Sequence, residues 1–302
     1  MPAEGEALIR IRATALNRAD LLQIRGLYPP PPGESPIPGL ECAGEIEALG
    51  QGSDGFEVGQ RVMALLAGGG HAQKVVAPVG QVMPIPGGLS FEEAAALPEA
   101  ALTAWTNLVR EGELAGGETA LVVAAASGVG TFAVQLAREL GARVIVAGRD
   151  RERLERLKAL GADACVVLGE DFVHEVRAIG SGRGVDLIMD LAGGADLGQR
   201  MGALKHGGRC VLVGVLAGMQ TDVDLADMLR RRLRLIGSVL RARSRLEKAE
   251  LVADFSAFAA HRLEDRRLKP VIDRILPFEE IADAYRQLRE GGVWGKIVLR
   301  VA

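Results

Sequence analysis

The chain predicts an α/β fold, a doubly wound parallel sheet accompanied by an irregular, barrel-like β domain. Three observations carry that expectation. Between residue 91 and about residue 258, six apolar runs alternate with helical patterns, at 121–123, 144–147, 164–167, 187–190, 210–213 and 233–239. That alternation is the pattern of a parallel sheet with crossover helices. Ahead of it, residues 1–95 hold ten of the 13 prolines and short β-like runs at 7–11 and 44–49, separated by turn signals such as Gly50-Gln51-Gly52. Behind it, β texture returns at 270–275 and 295–300, around a helical pattern from Phe278 to about Glu290. The expected division is therefore 1–95, 96–258 and 259–302, with the last piece rejoining the first.

The most informative stretch is Leu121-Val122-Val123-Ala124-Ala125-Ala126-Ser127-Gly128-Val129-Gly130. An apolar run breaks into small residues and glycines, a helical pattern follows at 131–140, and a second apolar run ends at Gly148-Arg149. In the register of the dinucleotide fingerprint the three positions are Ala125, Ser127 and Gly130, so only the last glycine is kept, with Gly128 as an extra. A purely structural strand–turn–helix corner would read the same way in isolation. The context favours a Rossmann nucleotide site, because a strand precedes, a helix follows, and the second strand ends about twenty residues on. Ala125, Ser127, Gly128, Val129 and Gly130 are the expected pyrophosphate-binding residues, at a helix N-terminus whose free N–H groups favour anions.

The end of the second strand selects the cofactor. An acidic residue there accepts from a ribose 2′-hydroxyl, whereas an arginine accommodates a 2′-phosphate. Here the strand runs into Arg149, Asp150, Arg151, Glu152 and Arg153. Arg149 and Arg153 offer forked donors to phosphate, and Asp150 sits where a helix N-cap would fall. NADPH is the expected cofactor.

At 302 residues the chain is long enough for two domains. A net charge of −3 gives no general attraction to nucleic acid or anionic membrane. The basic cluster of Arg230, Arg231, Arg232, Arg234, Arg241, Arg243 and Arg245 reads as a solvated helix end and loop. No apolar stretch is long enough to span a bilayer, and the first residues lack the regions of a signal peptide. Cys42, Cys165 and Cys210 are scattered, which fits a reducing cytoplasm and leaves no thiolate set for structural zinc.

Several stretches together resemble one family, the quinone oxidoreductase (zeta-crystallin-like) branch of the medium-chain dehydrogenase/reductases, and within it the tumour-suppressor-inducible quinone oxidoreductases. They are Ala15-Leu16-Asn17-Arg18-Ala19-Asp20-Leu21, Arg25-Gly26-Leu27-Tyr28 with its four prolines, Gly39-Leu40-Glu41-Cys42-Ala43-Gly44, Met63 to Gly70, Met83-Pro84-Ile85-Pro86, Ala94 to Ala100, Ser127-Gly128-Val129-Gly130, and Gly295-Lys296-Ile297-Val298-Leu299. The family has about thirty residues ahead of the point matching Met1, so the resemblance implies an N-terminally shortened GroES-like catalytic domain at 1–95. The dinucleotide-binding domain would occupy 96–258.

The resemblance implies a zinc-free oxidoreductase passing hydride from NADPH to a quinone. Zinc-dependent relatives carry Gly-His-Glu where this chain has Gly39-Leu40-Glu41, and leucine has no donor atom. The four histidines show no ligand spacing, and no metal is expected. Asn17, Asp20 and Tyr28 would line the acceptor side, with Asn17 and Tyr28 donating to a carbonyl oxygen as charge develops there. Asn17 and Asp20 could equally cap a short helix, and Tyr28 could be a packing residue. Glu41 would bond within the β domain. Thr103, Val213, Gly214, Val215 and Lys296 join the expected cofactor-binding residues, and a homodimer through an edge strand at 232–240 is implied. Rival readings are reduction of an enal, enone or enoyl thioester, for which Tyr28 is the candidate proton donor, and a low-turnover NADPH-binding regulatory protein.

Overall fold

The computed structural model describes residues Met1–Ala302, which form two compact units, Met1–Leu102 with Leu240–Ala302, and Thr103–Val239. In chain order the first stretch holds β1 (Glu6–Ala15), α1 (Arg18–Ile24), β2 (Glu41–Leu49), β3 (Arg61–Leu65), β4 (Lys74–Pro78), β5 (Val82–Pro84), α2 (Phe91–Ala95) and α3 (Pro98–Trp105). The second unit continues with β6 (Thr119–Val123), α4 (Gly128–Glu139), β7 (Arg143–Gly148), α5 (Arg151–Glu155), β8 (Ala164–Val167), α6 (Phe172–Ile179) and β9 (Val185–Asp190). It ends with α7 (Leu197–Met201), β10 (Leu204–Leu212), α8 (Leu225–Arg231) and β11 (Arg234–Gly237). The chain then returns through α9 (Arg245–Glu264), β12 (Ile272–Pro277), α10 (Ile281–Glu290) and β13 (Lys296–Arg300).

The second unit is the expected Rossmann-like sheet. All six apolar runs became strands, ordered β11-β10-β9-β6-β7-β8 and paired in parallel. Strands buried on both faces read as unbroken apolar sequence, and β6 and β9 are buried almost throughout. The chain winds one way from β6 to β8 and the other way from β9 to β11. The order therefore reverses between β6 and β9, where Val123 lies beside Asp190. Ligands of open α/β sheets bind at that crevice, beyond the carboxyl ends of the strands.

The first unit is built on a bent seven-stranded sheet, ordered β12-β13-β1-β2-β3-β5 with β4 also on β1. One edge of β1 serves two partners, β4 along residues 6–10 and β13 along 13–15. Register shifts on its other edge, against β2, accompany the bend. Ile9, Ile11, Cys42, Ile46, Val62 and Ala64 form the core.

Two sequence expectations differ here. The compact units divide after Leu102 and after Val239, not at 95 and 258. α9 is the reason: its helical periodicity looks like another crossover helix, yet it packs in the first unit. A Cβ on Gly80 would lie 2.7 Å from Ala249. The edge strand is also shorter than the 232–240 expected, four residues at Arg234–Gly237, because Arg232 turns left-handed to end α8.

Candidate active site: a backbone cradle and a side-chain pocket

In the second unit the turn between β6 and α4 is shaped by small residues. Ala124 adopts φ +58°, and the Ser127 hydroxyl caps α4, accepting from Gly130 N–H at 3.1 Å while donating to Ala124 O at 3.1 Å. A Cβ on Gly130 would lie 2.6 Å from Ala125 Cα and O, so the helix can approach the turn this closely only with glycine. The N–H groups of Gly128 and Val129 have no partner in the protein. They are open donors at the start of a twelve-residue helix, which fits a dinucleotide pyrophosphate.

At the end of β7, Asp150 is an N-cap, accepting from Arg153 N–H at 3.2 Å. It is thereby engaged with its own helix, and Arg149 beside it is exposed. Val213 follows β10, its N–H bonded to Asp190 O at 2.9 Å. The segment through Gly214 and Val215 runs beside the loop after β9, tied by Ala217 N–H to Ala192 O at 2.8 Å and Gly194 N–H to Gly218 O at 3.0 Å. Thr103 is buried, and its carbonyl accepts from Asn107 Nδ2 at 2.6 Å.

Sequence reasoning overlooked what holds the loop after β9. Asp190, wholly buried, accepts from the Ala192 and Gly193 N–H groups at 2.9 and 2.8 Å and from Arg200 Nε at 2.7 Å. Arg200 also donates to Gly193 O at 2.7 Å. A buried charge pair satisfied on this many sides fixes a conformation.

In the first unit Asn17 and Asp20, two of the side chains expected at the acceptor, form a capping pair at the start of α1. Asn17 is 9% exposed, and both ends of its amide are engaged: Nδ2 donates to Glu41 Oε1 at 2.8 Å and Oδ1 accepts from Lys296 Nζ at 2.7 Å. It is held in place rather than presented as a free donor to substrate. Asp20 is wholly buried, accepting from Asn17 N–H at 2.7 Å and Gly39 N–H at 3.2 Å, which is the capping role. Lys296, expected at the cofactor, turns inward instead and ion-pairs with Glu41. The second oxygen of Glu41 accepts from Glu99 N–H at 2.9 Å, and its carbonyl from the Thr14 hydroxyl at 2.7 Å. Glu41 thus bonds within the β domain, as its sequence context suggests.

Tyr28 is partly exposed, and its hydroxyl has no protein partner. It is placed by Arg241, which the sequence presents as one of a solvated basic cluster. Arg241 is 3% exposed and clamps three segments, donating to Ala67 O at 2.7 Å, Tyr28 O at 3.0 Å and Gln23 Oε1 at 2.7 Å. Its guanidinium also lies 5.2 Å from the centre of the Tyr28 ring. Burial, then the Glu99 carboxyl, push the Tyr28 hydroxyl up, against the pull of Arg241. Glu99 itself is pushed up to about 8, by burial first and then by Glu41. Leu40 is packed in the core at 1% exposure, and burial raises the Cys42 thiol well above its ordinary range.

Comparison with known proteins agrees with both halves of this description. The model of the alcohol dehydrogenase GroES-like domain matches residues 3–87, and that described as zinc-binding dehydrogenase matches residues 128–255. The chain therefore belongs to the medium-chain dehydrogenase/reductase superfamily, in the quinone oxidoreductase-like branch. It is an oxidoreductase of a family that binds a nicotinamide cofactor. It is 34% identical over 316 residues to the human synaptic vesicle membrane protein VAT-1 homolog, covering 99% of this chain and 79% of that protein. Among solved structures, an NAD-dependent alcohol dehydrogenase superposes with a TM-score of 0.88 at 32% identity, covering 100% of this chain and 93% of that one. The quinone oxidoreductase of Thermus thermophilus, solved also with NADPH, gives 0.83 at 36% identity, covering 99% and 92%. No helix is long and apolar enough to cross a membrane.

Proposed function

We propose that this chain is an NADPH-dependent reductase that delivers hydride to a quinone without help from a metal. The observation that carries the reading is the cradle in the second unit, where open N–H groups at Gly128 and Val129 accompany an exposed arginine at the end of β7. Asp150 caps α5 through one oxygen, and the exposed Arg149 beside it favours the 2′-phosphate. Bound NADPH supplies the hydride. The second unit's own part is to bind the pyrophosphate through backbone and to hold the nicotinamide end along residues 213–215. Holding reactants at reactive distance contributes on the order of 7–11 kcal/mol. Leu40 at the metal-ligand position supports an acceptor that is already electrophilic. Anaerobic titration with NADPH and with NADH, followed by benzoquinone or an enal, tests this. Tighter binding of NADPH and oxidation by the quinone are expected. Fluorescence quenching without oxidation by either acceptor would make the chain a nucleotide-binding protein instead.

We also propose a homodimer joined through β11. That strand pairs only with β10, and Leu225, Leu229, Leu235 and Val239 on or near it are exposed. An open edge beside apolar surface favours pairing with a second copy. Sedimentation should give twice the chain mass, and a monomer over a wide concentration range would refute it.

A further inference from the structure

At the carboxyl ends of β9 and β10 two loops of the second unit lie backbone against backbone. A parallel bridge joins Gly193 to Gly218. Bonds from Ala217 N–H to Ala192 O at 2.8 Å and from Gly194 N–H to Gly218 O at 3.0 Å flank it. The approach leaves no room for a side chain. A Cβ on Gly193 would lie 2.8 Å from Gly214 O, one on Gly194 2.8 Å from Ala217 Cβ and O, and one on Gly214 2.9 Å from Leu191 O. Gly193 and Gly194 also hold φ +62° and +83°, which favour glycine. Thr221 clasps the second loop further along, its hydroxyl accepting from Gly198 N–H at 3.0 Å and donating to Ala195 O at 2.9 Å. Contacts this close transmit displacement, so the 214–218 segment follows wherever the loop after β9 is held.

One side-chain pair holds that first loop. The Ala192 and Gly193 N–H groups both donate to Asp190 Oδ1, while Oδ2 accepts from Arg200 Nε. Arg200 reaches in from α7, and its Nη2 donates to Gly193 O, so one guanidinium spans the strand end and the bridge residue. Asp190 is wholly buried and Arg200 is 4% exposed. A buried ion pair adds little net stability, because desolvation offsets the attraction, and its attested use is to select one conformation. The conformation selected here leaves the N–H and C=O of half-buried Gly214 without a protein partner. A donor and an acceptor on one residue suit a carboxamide.

We propose that Arg200, paired with Asp190, is a positioning residue for the nicotinamide, acting through the Gly193–Gly218 bridge to set where the backbone at 213–215 holds it. The inference rests on the reading of residues 213–215 as the nicotinamide-holding segment and adds what fixes that segment. At 4% exposure the Arg200 head is closed to a ligand, so it acts through the two loops. The pyrophosphate cradle, on the turn after β6, contributes no residue to this arrangement. Loss of the pair should therefore touch one half of the cofactor and spare the other.

The test divides the cofactor the same way. Calorimetry on the full chain gives Kd for NADPH and for 2′-phospho-ADP-ribose, which keeps the pyrophosphate and lacks only the nicotinamide, beside kcat with benzoquinone. Wild type should bind NADPH the more tightly. Arg200→Met combined with Asp190→Asn removes both charges together, and the asparagine oxygen can still accept the two loop N–H bonds. This double variant should lower kcat about a hundredfold, the effect of a misplacement of roughly 1 Å. It should also erase the NADPH advantage and leave the 2′-phospho-ADP-ribose Kd unchanged. Gly193→Ala, with the ion pair intact, should give the same split by forcing the loops apart, and it carries the test alone should the double variant not fold. Wild-type kcat and NADPH advantage in either variant, or 2′-phospho-ADP-ribose weakened in step with NADPH, overturns the inference. A wild-type chain with no NADPH advantage fails the nicotinamide-holding reading itself, and the positioning role falls with it. A wild-type chain that keeps the advantage but reduces no acceptor fails only the reductase reading, and the two Kd values still decide the role of Arg200.

Discussion

The two units meet the problem of a binding site with opposite materials. In the second unit the site is mostly backbone: a left-handed Ala124, a capping Ser127, a glycine pressed against Ala125 and two unpaired N–H groups, all within seven consecutive residues. In the first unit it is side chains, with Asn17, Glu41 and Lys296 bonded to one another and Arg241 clamped across residues 23, 28 and 67. A backbone site tolerates an imperfect motif, because alanine and serine present N–H groups as well as glycine does. A side-chain site has no such latitude, since each buried head depends on the next one for its partner or its charge.

The largest effect should come from closing the backbone cradle. Gly130→Val places a branched side chain where even a Cβ would lie 2.6 Å from Ala125, so NADPH binding should fall below detection by fluorescence titration while circular dichroism keeps its αβ shape. Normal affinity would remove the turn from the site and erase the contrast between the units.

Breaking the side-chain site should appear first as lost stability. Lys296→Met leaves Glu41 and Asn17 buried without their cation, at a cost of about 3–5 kcal/mol. Urea melts should register it as a lower midpoint with an unchanged slope. A change under about 1 kcal/mol would mean that water already reaches the pair.

Cofactor choice gives a smaller and more selective effect. Arg149→Ala with Arg153→Ala should weaken NADPH by roughly tenfold or more per arginine, at ~1.5–3 kcal/mol for each charged hydrogen bond, and barely touch NADH. Equal weakening of both would place the arginines elsewhere than at the 2′-phosphate.

The smallest effect sharpens the comparison through pH. The Glu99 carboxyl is raised from an ordinary 4.5 to about 8 in the folded chain. The folded state therefore binds a proton that the unfolded state has lost, and this contribution to stability disappears as pH climbs through that window. Glu99→Gln has no such dependence, so its melting temperature should gain on wild type steadily between those two values. Parallel curves would show that Glu99 titrates as an ordinary surface carboxyl.

Legibility in the sequence follows the same division. The six apolar runs that form the parallel sheet, the turn at 124–130 and the capping by Asp150 are all readable, since each is set by neighbours in the chain. Asn17, Asp20 and Lys296 stand out in the sequence, but their roles do not, because a role depends on the partner and the partners lie 24 and 279 residues away from Asn17. Arg241 looks like one of seven solvated arginines, and Glu99 like an acidic residue opening a helix. Nothing in periodicity separates a clamp from a surface charge.

What the sequence determined by itself was the order of elements and the backbone cradle, because strand burial, helix periodicity and small residues at a tight turn act over a few residues. Tertiary structure alone decided the unit boundaries, the inward turn of Lys296 and the burial of Arg241 against Tyr28. Those depend on which distant groups share a low-dielectric space, where an unmet charge is far more costly than any local preference. Only the folded chain brings them there.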